Sequence, residues 1–423
     1  MSTLQQLLSD ERGSMLPVLA GVVLLTMAGA ALAVDLTRAS ALQTDLQTTA
    51  DSAALAAAAR LPDVAAARKA AIAYAIKNMG AHGDVLRPED VEFGQWDPEA
   101  RTVEATDDVP SAVRVTTRLA ASNGNAVSTL FAGTLGIDAI DIGASATAGR
   151  RAPACVVALH PTKRESLKLD SNASLDAQEC TVQVSSTYPR ALQTRSNSTI
   201  TAASICVAGG ADVGGGTSVT PDPTTNCPPP PDPLATLEPP AYGACNHTNA
   251  SYTDQTISLA PGVYCKGLQL LGNSNITLNP GTYVIKDGPF TVDSNATVTG
   301  DGVTIYLTGP KAVISLLSNA SVNLIAPNGG PLAGILFFQD RDFGGLHFWG
   351  SNEPVDLRGT VYLPKGNLMA ESSNSMTPMN SCNVLIANTI NFKGNSGASI
   401  DLGNAACRSF LPSAVLGTVA LLE

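Results

Sequence analysis

A short polar turn followed by a strand recurs along this chain, and it limits the possible folds more than any other feature. The clearest copy is Asp293-Ser294-Asn295-Ala296-Thr297-Val298. Residues 170–175 read DSNASL, 195–200 RSNSTI and 317–322 LSNASV, with looser copies at Gly272 (GNSNI), Gly350 (GSNEPV), Ser372 (SSNSM) and Lys393 (KGNSGASI). The aligned asparagines are Asn172, Asn197, Asn273, Asn295, Asn319, Asn352, Asn374 and Asn395, and most steps are 21 to 25 residues. A fixed period of this size is the mark of a stacked-coil architecture.

Three short apolar segments separated by Gly and Pro can be read in each repeat. After Asn273 they are 276–278, 282–285 and 290–292, and after Asn295 they are 297–299, 303–307 and 312–317. Three strands in about 22 residues predict a right-handed parallel β-helix whose coils pair about 4.8 Å apart. A propeller blade would need about 40 residues. Asparagine tolerates the left-handed backbone of a sharp corner, and its amide can bond the next coil's amide. Asn172, Asn197, Asn246, Asn249, Asn275, Asn295 and Asn319 also sit in N-x-S/T triplets. The recurrent turn accounts for five of these seven without glycosylation.

Eight cysteines and no CxxC spacing point to disulfides in an oxidising compartment, not to a metal site. Cys155, Cys180 and Cys206 are 25 and 26 residues apart, and Cys382 and Cys407 are 25 apart. One repeat apart means one coil apart, within disulfide reach. The pairs expected are Cys155–Cys180 and Cys382–Cys407. If residues 209–255 form an excursion, Cys206–Cys265 and Cys227–Cys245 follow, with Cys180–Cys206 equally allowed by geometry. The excursion contains GGG at 214–216 and CPPPPDP at 227–233. It reads as an extended, polyproline-like strap across the coils.

The N-terminal part differs. Residues 14–34 form an uncharged apolar run long enough to cross a bilayer as a helix. The segment 1–13 is expected in the cytoplasm and the bulk outside. Ala31-Leu32-Ala33 leaves a cleaved signal as the competing reading. A helical stalk, 35–80, follows with a small-residue stripe at Leu42, Leu46, Ala50, Ala53 and Ala57. Pro62 breaks it, and Asp63 caps a second helix over 64–79. Residues 81–150 alternate as short strands, with a hairpin around Trp96 and a helix over 127–135, and predict a small α+β module. The β-helix is expected over 151–423, which makes the chain mainly β.

The string RGSMLPVLAGVVLLTMAGAALAVDLTRASALQTDLQTTADSAALAAA resembles the N-terminal region of TadE-like and TadG-like proteins of the Tad, or Flp-pilus, assembly system. The match lies in Arg12-Gly13, in the run ending at Val34-Asp35, and in Leu46-Gln47 leading to Ala50-Asp51-Ser52-Ala53-Ala54-Leu55-Ala56. The resemblance implies a bacterial inner-membrane, single-pass protein with its bulk in the periplasm or at the cell surface. Its partners would be the membrane and other Tad/Flp proteins. Prepilin-type processing after Gly13 would want Glu five residues on, where Val18 stands. Many TadG-like proteins carry a von Willebrand A domain with a D-x-S-x-S metal site. Here the nearest string is 170–174, DSNAS, inside the turn repeat, so neither that domain nor its metal is expected.

A net charge of −11 and a pI near 4.8 argue against a nucleic-acid partner. No catalytic, metal or cofactor constellation stands out. The one charged and aromatic cluster lies at 337–349, in the long step from Asn319 to Asn352, and reads as a projecting loop. Asp340, Arg341, Asp342, His347 and Trp349 within it are the candidate surface-site residues. Pectin lyases and polygalacturonases are also parallel β-helices, but their clustered acidic, His-Gly and Arg-x-Lys strings are absent. The expected role is a non-enzymatic structural component of pilus assembly or adhesion. The alternative is a carbohydrate-binding or carbohydrate-cleaving protein acting through 339–349.

Overall fold

The computed structural model describes residues 15–422 apart from positions 62, 83, 98–99, 106–109, 151, 354, 373–378, 401, 403–406, 408–410, 413, 416 and 418. The expected cytoplasmic segment 1–13 and Asn374 lie outside the described residues. The chain forms two compact units, residues 1–151 with 419–423, and residues 152–418.

In the first unit, a single helix, α1 (Met15–Ala58), carries the apolar run straight into the stalk. Its first half is exposed and apolar, and it is long and apolar enough to cross a membrane. From Leu46 onward it turns inward. Leu46, Ala50, Ala53 and Ala57 are buried against Ala67, Ala71 and Ala75 of α2 (Val64–Met79) and against Val113, Val115, Ala146 and Ala148 of a sheet. Alanine on both helices allows the backbones to approach closely. Asp63 caps α2 by accepting from Ala66 N (2.9 Å).

The sheet runs Thr102–Glu104, Val91–Asp97, Ala112–Leu119, Ile142–Arg150, and ends with Val419–Leu421, all antiparallel. That last strand corrects the expected β-helix boundary of 423: Val419 pairs with Arg150, so the β-helix is inserted within this sheet. The helix expected over 127–135 is also corrected. Val127–Ser128 is a strand paired with Ala139–Ile140, and only Ala132–Leu135 makes a short 3₁₀ turn. Gly133 and Gly136 leave too little helix former for more.

The second unit is a parallel β-helix of about ten coils. Its coil order is not its chain order. From His247 the coils rise in sequence to Asn383–Gly394. That strand then pairs with Ala154–Ala158 and Leu167–Asp170. The coils built from residues 154–225 therefore continue the stack above residue 400, with Leu385 beside Val156 and Ile390 beside Leu167. The chain enters the stack at its eighth coil, climbs to the top, crosses to the bottom, and climbs again until it meets its own entry point. The crossing segment is residues 226–246, shorter than the expected 209–255. Ala211–Val213, Ser218–Thr220 and Thr224–Thr225 are still coil strands at one end, and His247–Thr253 is one at the other.

This order settles the cysteines. Cys155 is bonded to Cys180 and Cys382 to Cys407, with Cα atoms 5.6 and 5.0 Å apart. The expected Cys206–Cys265 and Cys227–Cys245 pairs are replaced by Cys206–Cys227 and Cys245–Cys265. Cys206 and Cys265 sit near opposite ends of the stack and cannot meet. Each holds one end of the crossing segment instead.

At the recurrent corner, Asn295 Nδ2 donates to Asn273 Oδ1 (3.0 Å) and Asn319 Nδ2 to Asn295 Oδ1 (3.2 Å). Asn172 Nδ2 donates to Asn395 Oδ1 and Asn197 Nδ2 to Asn172 Oδ1, both at 3.4 Å, so the amide row crosses the seam between the two chain segments. Asn352 joins through its backbone, donating to Ser318 O (2.7 Å). The left-handed position is mainly the residue before each Asn: Ser294 (φ 65°), Ser318 (55°), Gly272 (67°) and Gly394 (73°). Asn172 and Asn197 share it with Ser171 and Ser196. The backbone role expected of Asn thus falls largely on its predecessor, and Asn supplies the amide ladder.

Candidate functional site

The strands of one face of the β-helix are apolar on both sides, as in VTIYLT at 303–308 and ILFFQ at 335–339, where every residue is buried. One row points into the coil. The other, Val263–Val284–Tyr306–Phe338–Tyr362–Ile386–Val157, is in register from coil to coil and would face water on a bare β-helix. All seven are buried, and the crossing segment lies as a strap against this row, with Tyr242 on Tyr306 and Asp232 on Tyr362.

The strap is rich in proline, so it lacks the N–H groups to join a sheet edge. It is held by groups that donate into it. Ser185 Oγ donates to Pro230 O (3.5 Å), and Tyr362 OH to Asp232 Oδ2 (2.7 Å). Arg341 Nη2 donates to Leu234 O (2.6 Å) and Leu237 O (2.8 Å), while its Nε donates to Tyr362 OH (3.1 Å). The guanidinium lies 5.4 Å from the ring centres of both Phe338 and Tyr362. Leu234 enters the core, and Tyr242 packs on Tyr306 and under Lys286. Disulfides close both ends. Burial first, then the Asp232 carboxylate, pushes the Tyr362 phenol above its ordinary value; burial and Asp340 do the same for Tyr306. Both remain neutral donors.

This arrangement redefines the cluster at 337–349. It is not a projecting loop: Ile335–Gln339 and Gly345–Trp349 are coil strands, and the extra residues of the long step fall at 326–334. Phe337, Phe338 and Trp349 do not cover the coil; they form its wall and core. Asp340 accepts from Tyr306 OH (3.1 Å) and Thr308 Oγ1 (2.9 Å), while Arg341 turns away to the strap. Asp342 is exposed, and its N–H donates to Asp340 Oδ1. His347 is enclosed. It accepts from Ile314 N at Nδ1 (3.1 Å), and burial pushes its pKa down to about 3. Gly366 sits against its Nε2 and against Gln339 Oε1, where any Cβ would collide with both. The five residues are thus not brought to one surface, and Trp349 and His347 offer no face to a sugar.

Substituting Arg341→Ala should cost about 2–3 kcal/mol, the scale of charged hydrogen bonds lost from carbonyls that stay covered. Arg341→Lys should recover less than half, because an ammonium cannot reproduce the planar fork. Urea midpoints and the rate of protease nicking between residues 228 and 244 would measure this.

Two clefts border the strap. One, about 490 Å³, lies between Pro239-Pro240-Ala241 and the 327–332 loop. The other, about 400 Å³, lies between Pro229-Pro230 and Pro364-Lys365. Prolines stand on both walls of each; the first is otherwise lined mainly by glycines, threonines and Leu332, while the second also carries Asp232, Arg341 and Lys365.

A second constellation lies in the first unit. Asp35, buried on α1 one residue past the apolar run, accepts from the backbone N–H groups of Leu130 (2.8 Å), Phe131 (2.9 Å) and Ala132 (2.8 Å). These bonds, the Leu130 bond foremost, outweigh burial and hold its pKa below the ordinary carboxylate value, with Arg38 assisting. Arg38 Nη1 also donates to Ser128 O (3.2 Å). The sequence signal was a lone carboxylate at the end of an apolar run inside a helix that does not stop. Of the groups that hold the strap, the sequence singled out only Arg341, as a surface-site residue; Ser185, Asp232 and Tyr362 are far apart in the chain and gave no signal.

Residues 13–60 match a family model described as putative Flp pilus-assembly TadE/G-like. Residues 235–403 match one described as a domain of unknown function (DUF7305). The second span begins within the strap and ends with the coil below the seam. No curated protein and no solved structure matches the chain.

Proposed function

We propose that this chain, whose N-terminal segment is TadE/G-like, is a non-enzymatic, membrane-anchored structural component of a Tad (Flp) pilus apparatus. The observation that carries the reading is the coincidence of the matched segment with α1. Residues 13–60 cover the exposed apolar run, Asp35 and the buried alanine stripe, so one helix both anchors the chain and organises the first unit. The four disulfides favour a periplasmic or surface-facing position for the β-helix. There it would serve as a stiff presenting surface, its clefts taking segments of assembly partners.

Fractionation of native cells tests the anchor, with the intact chain expected in the inner membrane and not in sheared pili. Deletion of the chain should abolish or sharply reduce piliation and surface attachment. Normal piliation in the deletion strain would overturn the proposal.

A further inference from the structure

We infer that the turn at residues 128–138 is a second membrane contact, dipping into the bilayer boundary beside the anchor helix. The inference rests on reading α1 as a membrane span. Leu130, Phe131 and Ile137 are 61%, 46% and 49% exposed, large apolar side chains on a turn that could have been polar. Their height along α1 is fixed. The three bonds to Asp35 seat the backbone of residues 130–132 one residue past Val34, where the lipid-facing surface of the helix ends. The apolar surface of α1 therefore continues sideways onto the turn.

The turn is also suited to a half-dry environment. Its polar groups are met from within: Thr129 N donates to Asp138 O (3.1 Å), Thr129 Oγ1 to Ile137 O (2.6 Å), Thr134 Oγ1 to Phe131 O (2.7 Å) and Ile137 N to Ala132 O (3.1 Å). Satisfied backbone is what the edge of the hydrocarbon region requires. Among the described residues the charges nearby are Asp35, Arg38, Asp138 and Asp141, with no basic cluster. The partner is therefore the apolar boundary of the bilayer and not anionic headgroups.

The test uses the full chain in phosphatidylcholine vesicles with doxyl groups at shallow or deep acyl positions. Phe131→Trp and Leu130→Trp are reporters, read above the shared background of Trp96 and Trp349. Met27→Trp reports the span. Tyr74→Trp is an exposed control on α2, whose Asn78 bonds Ser52, about 25 Å along α1 from Asp35. Both turn reporters should emit further to the blue and lose intensity to shallow doxyl, Met27→Trp to deep doxyl, and Tyr74→Trp to neither. Anionic lipid and salt should change nothing. Unquenched turn reporters beside a quenched Met27→Trp would overturn this inference and leave the anchor standing. An unquenched Met27→Trp would overturn the anchor reading itself, and quenching that requires anionic lipid would overturn the apolar assignment.

Discussion

Replacing Cys206 and Cys227 by serine, or Cys245 and Cys265, should cost about 3 kcal/mol for each pair, the scale set by closing loops of about 20 residues. Removing both pairs should do more than add these costs. With one end pinned, Arg341, Asp232 and Leu234 still hold the strap on the coils. With neither pinned, a proline-rich segment with few backbone bonds to the coils has only these side-chain contacts and those of Ser185 and Tyr242, and the row from Val263 to Val157 comes open to water. The quadruple variant should bind an apolar dye and be nicked between residues 228 and 244 in conditions where wild type is inert. Removing Cys155–Cys180 is the control: it should lower stability by a similar amount without exposing the strap. Peptide mapping without reductant checks the coil order directly, since a Cys206–Cys265 fragment would require the coils to stack in chain order.

That coil order shows how far sequence reasoning reaches here. The repeated turn, the three-strand spacing and the single-coil cysteine steps make the parallel β-helix legible. They do so because every coil needs the same corner and the same inward row. The period reports coil length only. It is the same whether residue 383 is followed in space by 400 or by 154, so the seam at Leu385–Val156 is invisible in it. The strap could be read as extended from its prolines, but what it covers could not. Tyr306, Phe338 and Tyr362 looked like ordinary strand aromatics until a partner 60 to 130 residues away was laid on them. The cluster at 337–349 misled for a related reason: charged and aromatic residues together suggest an exposed site, whereas Arg341 is there to hold carbonyls and His347 to fill a coil. At Asp35 the residue was visible in the sequence, but its partners in the 130–132 turn lie nearly 100 positions away.

His347 should make the β-helix lose stability in mild acid. In the unfolded chain the imidazole titrates near 6.5; burial pushes it down to about 3 in the folded protein. Between those values the unfolded chain binds a proton that the folded one refuses. The contribution is therefore fully present above pH 6.5 and is lost as pH falls toward 3, by about 1.4 kcal/mol per unit. From pH 7 to 5 the loss should be about 2 kcal/mol, read from urea midpoints of the full chain in detergent. His347→Gln should remove this slope. His160 is depressed too, by burial first and then by Lys163 and Lys365, so His160→Gln is measured alongside and should remove a separate, smaller part. Carboxylates held low by their partners, such as Asp212 beside Arg195, begin to lose their contribution as pH falls through the unfolded carboxylate value of about 4, so the slope is read between pH 7 and 5, above that range. An unchanged slope in His347→Gln would mean that the imidazole takes a proton in the folded state. It would then be reachable from solvent, and the residues from Asp340 to Trp349 would again have to be considered as a surface site.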